Sequence, residues 1–338
     1  MQVDDKPHRI PELWFEDGNI VIQAGKSQFR VHRGILSARS SVFQDMLSFP
    51  QPLDSELVEG CPVVRLHDAE TEVTVFLRAI FDPDYFMPFP AKTQFEILQG
   101  CLRLSHKYSV EYLRLRALVH LSSPFRTALS EWDNAYWDDR EGPSNRLPSE
   151  VESWLADDVS TFIAVIQLAR EVDAPWVLPV TFYGLSCRLA EPMALTEVLE
   201  GTVCNGVPTT LSPQDRKAFF AGHRRQTSAS PIAMLAFLSD PRDIPGCMVP
   251  DECHTGRLSG VDLTRSLIDE NPSIPLDIWN EDSWYDLDIC SACSAYLKGK
   301  HAAARQAFWD QLPGIYSLPP WDELIRMKTE AIGAHAPF

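Results

Sequence analysis

Asp17 to Ser48 reads DGNIVIQAGKSQFRVHRGILSARSSVFQDMLS. Ile20-Val21-Ile22 is a short apolar run, Ala24-Gly25-Lys26-Ser27 supplies turn chemistry, and Phe29 and Val31 alternate with Arg30 and His32. That order predicts a β-hairpin. After Gly34 the period changes. Ile35, Leu36, Val42, Phe43, Met46 and Leu47 recur at helical spacing, and Ser37, Ser40 and Ser41 form a polar cluster that can cap a second helix. Strand, strand, helix, helix within so short a span predicts the start of an α+β domain.

Pro62 to Leu66 predicts a third short strand, which makes a short three-stranded sheet. Glu70 to Ala79 carries the stripe Val73, Phe76, Leu77, Ile80 of an amphipathic helix, with Asp68 or Thr71 as its start signal. An apolar, proline-punctuated loop, DPDYFMPFP, covers Asp82 to Pro90, and two further helices follow up to Leu121. Residues 1–12 read as a loose tail, 13–121 as the α+β domain and 122–150, rich in Trp, Asp, Pro and Gly, as a linker. Residues 151–338 are expected to be mostly α-helical, with a helical hairpin from Val159 to Leu189 and short pieces at Leu211 to Phe220 and Ile232 to Leu238. No internal repeat of fixed period is present.

Phe29, Val31, His32, Arg33, Leu36, Ser41, Phe43 and Met46 together resemble the opening of the BTB/POZ domain, and the junction Ser105-His106-Lys107-Tyr108 resembles the one between that domain's last core helices. Residues 13–121 are covered by this resemblance. Further on, Leu178 to Tyr183 follows an acidic Trp segment in an order similar to a group of fungal BTB proteins. The resemblance implies a non-enzymatic protein–protein interaction protein that forms a homodimer, with Leu13, Trp14, Phe15, Ile35, Val42, Phe43 and Met46 as the apolar residues to be divided between interface and core. It also allows a substrate adaptor for a cullin-type ubiquitin ligase, with Phe81, Tyr85 and Phe86 as aromatic anchors, or a transcriptional regulator. One departure is Asn19, where the family carries an Asp that builds a charged pocket with the basic residue after the His, here Arg33.

The 338-residue chain has an apolar fraction of 45% and nine tryptophans, enough for more than one sizeable core. A formal net charge of −17 argues against direct nucleic-acid binding, which rests on clustered Lys and Arg. The one dense basic run, His223-Arg224-Arg225, is too short for a duplex. The first residues have neither a basic nor an apolar signal region, and no apolar run approaches the roughly 18 residues of a membrane span. Cytosol or nucleus is the expected location, with no membrane partner.

Half of the eight cysteines fall between 247 and 293. Cys247 and Cys253 sit in CMVPDECH, and Cys290 and Cys293 open a helix as CSAC, so thiolates at i and i+3 face one side. Four thiolates suit one structural zinc, and His254 and His301 are alternates for one position. Buried reduced thiols and a disulfide remain open. No other cofactor is indicated. Enzyme motifs are missing: there is no G-x-S-x-G, H-E-x-x-H, P-loop or G-x-G-x-x-G. Asp138-Asp139 and Asp157-Asp158 read as solvated helix starts, and Thr227 and Ser228 as phosphoacceptor-like residues in a loop.

Overall fold

A computed structural model describes residues 7–49, 56–137, 154–156, 158–239, 244–270 and 273–333. The hairpin forms as expected. β2 (Ile20–Ala24) and β3 (Ser27–Val31) pair antiparallel, Ile20 opposite Val31 and Ala24 opposite Ser27. Gly25 turns the chain at φ +53°, a left-handed value that glycine adopts without strain. A side chain there would also crowd the Glu70 carboxylate, which accepts hydrogen bonds from Lys26 N at 3.1 Å and Ser27 Oγ at 3.3 Å.

The sheet has five strands, not three, in the order β1-β3-β2-β5-β4. β1 (His8–Trp14) lies parallel to β3, so the tail expected over 1–12 includes a strand; residues 1–6 lie outside the described residues. β5 (Cys61–Leu66) lies parallel to β2, and the two-residue β4 (Leu57–Val58) completes the other edge. Both extra strands are edge strands with mostly exposed side chains, so neither shows the alternation that marks a half-buried strand. Pro11 is tolerated at such an edge. Central β2 is buried on both faces, which is why it reads as an unbroken apolar run.

α1 (Arg33–Arg39) and α2 (Ser41–Ser48) follow, and the Ser40 side chain caps α2 by accepting from Phe43 N at 2.9 Å. α3 (Glu70–Phe81) starts at Ala69, not at Asp68 or Thr71. Asp68 instead accepts from Tyr108 Oη at 2.5 Å and pairs with Lys107 at the end of α4 (Phe95–Lys107). α5 (Glu111–Ser122) completes the first unit.

The stretch expected to be a linker contains α6 (Leu129–Trp137), whose Leu129 and Trp132 are buried; residues 138–150 lie outside the described residues. Beyond it come α7 (Val159–Glu171), α8 (Leu178–Arg188), α9 (Ala194–Glu200), a small hairpin of β6 (Thr202–Cys204) and β7 (Val207–Thr209), and α10 (Pro213–Leu235). The two short pieces predicted around α10 are one helix. Thr227 and Ser228 lie inside it, not in a loop, and their hydroxyls donate back to His223 O and Arg224 O. α11 (Pro250–Glu270), α12 (Glu281–Tyr285), α13 (Ser291–Ile315) and α14 (Trp321–Ile332) finish the chain.

One hydrophobic cluster runs from Leu13 to Ile332 across the boundary near residue 121. Trp176 donates its indole N–H to Ser122 Oγ at 2.9 Å, Trp154 stacks on Phe95 at 5.6 Å and donates to His120 O, and Trp309 donates to Thr127 O. Arg103 on α4 reaches Glu72 on α3 and, at 2.6 Å, Glu171 at the end of α7. Among the described residues no helix is long and apolar enough to cross a membrane.

Candidate functional site

Two regions carry the expected site residues. The first is the cysteine cluster. Cys247 sits in the turn before α11, its N–H donating to Ile244 O; Cys253 lies in the first turn of α11; Cys290 is the N-cap of α13 and Cys293 lies in its first turn. Their sulfurs all lie within 4.8 Å of one another, and Cys290 Sγ is 3.8 Å from Cys247 Sγ. A tetrahedron of thiolates about 2.3 Å from a zinc ion has edges of about 3.8 Å, so the four sulfurs sit close to that shape.

Local structure explains the convergence. Putting Cys253 on a helical turn brings its sulfur beside Cys290 N, which donates to it at 3.2 Å, so the long spacing from Cys247 is absorbed by the turn between them. Helix α11 approaches the chain before α13 at Gly256, where a Cβ would stand 2.1 Å from Asp288 O. The Cys293 backbone N–H holds the Cys290 thiol down at about 7, while burial pushes Cys253 and Cys293 up.

Neither alternate histidine joins the cluster. His254 Nδ1 stands 3.4 Å from Arg257 on its own helix. His301 lies on α13, which begins at Ser291, and is buried against Phe237 and Trp284 at 5.3 and 5.8 Å; burial brings it down to about 4. These four cysteines could hold one metal ion, and the donor set has no open position for water.

The second region is the surface of the first unit. Leu13 and Phe43 are enclosed in the core, Phe43 stacking on Tyr108 at 4.7 Å, so they have no surface to offer a partner. Ile35 is 39% exposed, and Trp14, Phe15, Val42 and Met46 are half-buried. Phe15 packs on His32 and Phe81 at 5.3 and 5.5 Å. Asn19 Oδ1 accepts from Arg33 N at 2.8 Å, and the Arg33 guanidinium donates to Leu47 O, so the two residues at the family's pocket positions are engaged in holding α1 and α2.

Of the three aromatic anchors, Phe81 and Tyr85 are half-buried, the latter under Arg78 at 4.2 Å, whereas Phe86 is core. Beside them Pro88, Phe89, Tyr112, Leu115, Arg116 and Val119 line an open cleft of about 200 Å³. His120 fixes the loop above it by donating to Met87 O at 2.9 Å, and burial lowers its pKa.

One pair escaped the sequence reading because it is distant along the chain. Ser186 Oγ and His223 Nδ1 are 2.8 Å apart, but Ser186 is fully buried between helices, so the contact is internal packing. Asp158 caps α7, accepting from Thr161 N at 2.9 Å, which is the helix start its sequence suggests; Asp157, Asp138 and Asp139 lie outside the described residues.

Comparison with known proteins bears on the first unit alone. Nothing among curated proteins and nothing among solved structures matches the chain, so the likeness to fungal BTB proteins stays a reading of the sequence. The BTB/POZ domain family matches residues 15–116, which span β2, β3, β5 and the helices from α1 into α5. Residues 15–116 are therefore a BTB/POZ domain, here joined to a mostly helical C-terminal region.

Proposed function

We propose that this chain is a non-enzymatic interaction protein, which self-associates through its BTB domain and presents the helical region to a partner, in the cytosol or nucleus. The family match over residues 15–116 carries the reading. The exposed Ile35, with half-buried Trp14, Phe15, Val42 and Met46, supplies apolar surface for pairing two copies. Light scattering of the full chain at micromolar concentration is expected to give a dimer and, for Ile35→Asp, a shift toward monomer. A monomeric parent chain ends the self-association reading.

A second reading, a substrate adaptor for a cullin-type ligase, is favoured by the cleft beside Phe89 and Tyr112 and by the half-buried Phe81 and Tyr85. Purified cullin is expected to be retained by the full chain and less by Tyr112→Ala; no retention removes this role.

The cysteine cluster enters the function as one structural zinc held by Cys247, Cys253, Cys290 and Cys293, tying the start of α11 to the start of α13. A bound zinc supplies the charge that holds four thiolates together in a closed shell. Elemental measurement is expected to find about one zinc per chain, the capacity of a four-thiolate shell. Zinc-free folded protein overturns it.

A further inference from the structure

We infer that the outward face of α9 and the β6–β7 hairpin is a docking surface for a basic amphipathic segment of a partner protein. This deepens the interaction-protein reading and rests on it. Of the fourteen large apolar side chains exposed among the described residues, four lie between positions 193 and 203: Met193 at 62%, Leu195 at 49%, Leu199 at 43% and Val203 at 61%. Such a concentration is unlike apolar residues scattered singly, which need no explanation.

The placement is structural, not a loose end. α9 buries Ala194 and Val198, the hairpin buries Cys204 and Thr209, and α9, β6 and β7 all pack on α7. Their opposite faces therefore look outward together. Leu195 and Leu199 sit one turn apart on α9. Val203 pairs across the hairpin with Pro208, also exposed. α9 runs directly into β6, and Thr202 Oγ1 donates to Glu197 at 3.2 Å across the junction, which fixes one against the other.

Charge selects the occupant. Between Arg188 and Arg216 the sequence has no Lys or Arg, while Glu191, Glu197 and Glu200 are interspersed with the apolar residues. Of the flanking cations, Arg188 lies 3.9 Å from Glu191 and Arg216 donates to Leu211 O at 3.2 Å, while Arg170 on α7 is 2.6 Å from Asp215. An apolar strip with an acidic rim complements a helix that has one apolar face flanked by Lys or Arg. A second copy of the same surface would bring like charges together.

The test uses the full chain and three synthetic peptides: Leu and Lys at helical spacing, the same pattern with Glu in place of Lys, and a Lys/Ser peptide without an apolar face. Calorimetry is expected to show binding of the Leu/Lys peptide alone, weakening as salt rises. Leu195→Ser with Leu199→Ser should weaken it by about tenfold, the effect of losing buried anchors. Ile232→Ser, at an even more exposed isoleucine on α10, should leave it unchanged. Glu191→Lys with Glu200→Lys, both at exposed positions, should abolish most of the salt-sensitive part and stands in if the leucine variant loses its fold. Equal binding of the Lys/Ser peptide, or undiminished binding by both variants, overturns the inference. A leucine variant that changes the oligomeric state overturns it too, by making the patch an interface between copies. Peptide binding by a chain that scatters as a monomer would instead remove self-association and leave this surface standing.

Discussion

Arg103 on α4 joins two parts of the molecule: it pairs with Glu72, 10% exposed at its side chain, and with Glu171 on α7. Burial raises the Glu72 pKa and Arg103 opposes that rise. Removing the guanidinium leaves a buried carboxylate uncompensated, so Arg103→Ala is expected to cost about 2–3 kcal/mol near neutral pH by chemical denaturation. The loss should shrink in acid, where Glu72 can take up a proton. Asp277 poses the opposite case. Burial pushes its carboxyl up to about 6, Arg305 pulls it down, and Asp133 pushes it further up. A carboxyl with a raised folded-state pKa favours the folded state below its ordinary value of 3.8, and that contribution is lost as pH rises from there through about 6. Asp277→Asn should therefore stabilise the chain at about pH 7.5, by up to about 2–3 kcal/mol, and hardly at all at about pH 4. An equal effect at both pH values would sink this account.

At the scale of elements, the approach of α11 to the chain before α13 sets the cysteine geometry. Gly256→Ala inserts a methyl group where Asp288 O already stands, moving Cys253 away from Cys290. Cobalt titration, read by its thiolate absorption, is expected to show affinity weakened by about 10- to 100-fold, the scale on which supporting contacts tune metal sites. Unchanged affinity would mean that Gly256 does not position the ligands. How far such features were legible from the chain depends on whether their cause is local. The β2–β3 hairpin, α2 and its Ser40 cap, and the CSAC pair on one helical turn are written in adjacent residues, and all were readable. β1 and β4 were not, because edge strands lack apolar alternation. α10 was read as two pieces because its Ser and Thr hydroxyls turn back onto helical carbonyls, which spacing alone does not show. Leu13 and Phe43 could not be separated from Ile35 in advance, since burial depends on what arrives from other parts of the chain. The patch on α9 was missed for the converse reason: nothing in Leu195 and Leu199 tells which neighbours fail to cover them.

For the whole molecule the decisive fact is the shared core. Trp176 bonds to Ser122, Trp154 covers Phe95, and Arg305 on α13 grips Asp133 on α6 with two hydrogen bonds of 3.0 and 2.6 Å. Calorimetry is expected to show one unfolding transition for the full chain, with residues 1–122 alone markedly less stable; two well-separated transitions would contradict a common core. If two copies pair through their BTB domains as proposed, the same bridging tryptophans fix more than one chain's own shape. An arm held by packed indoles cannot swing like a tethered module, so the two α9 surfaces of a dimer stand at a set separation. Such a dimer would act as a calliper: a target carrying two basic motifs at the matching interval would gain avidity, and one with a different interval would bind through a single arm.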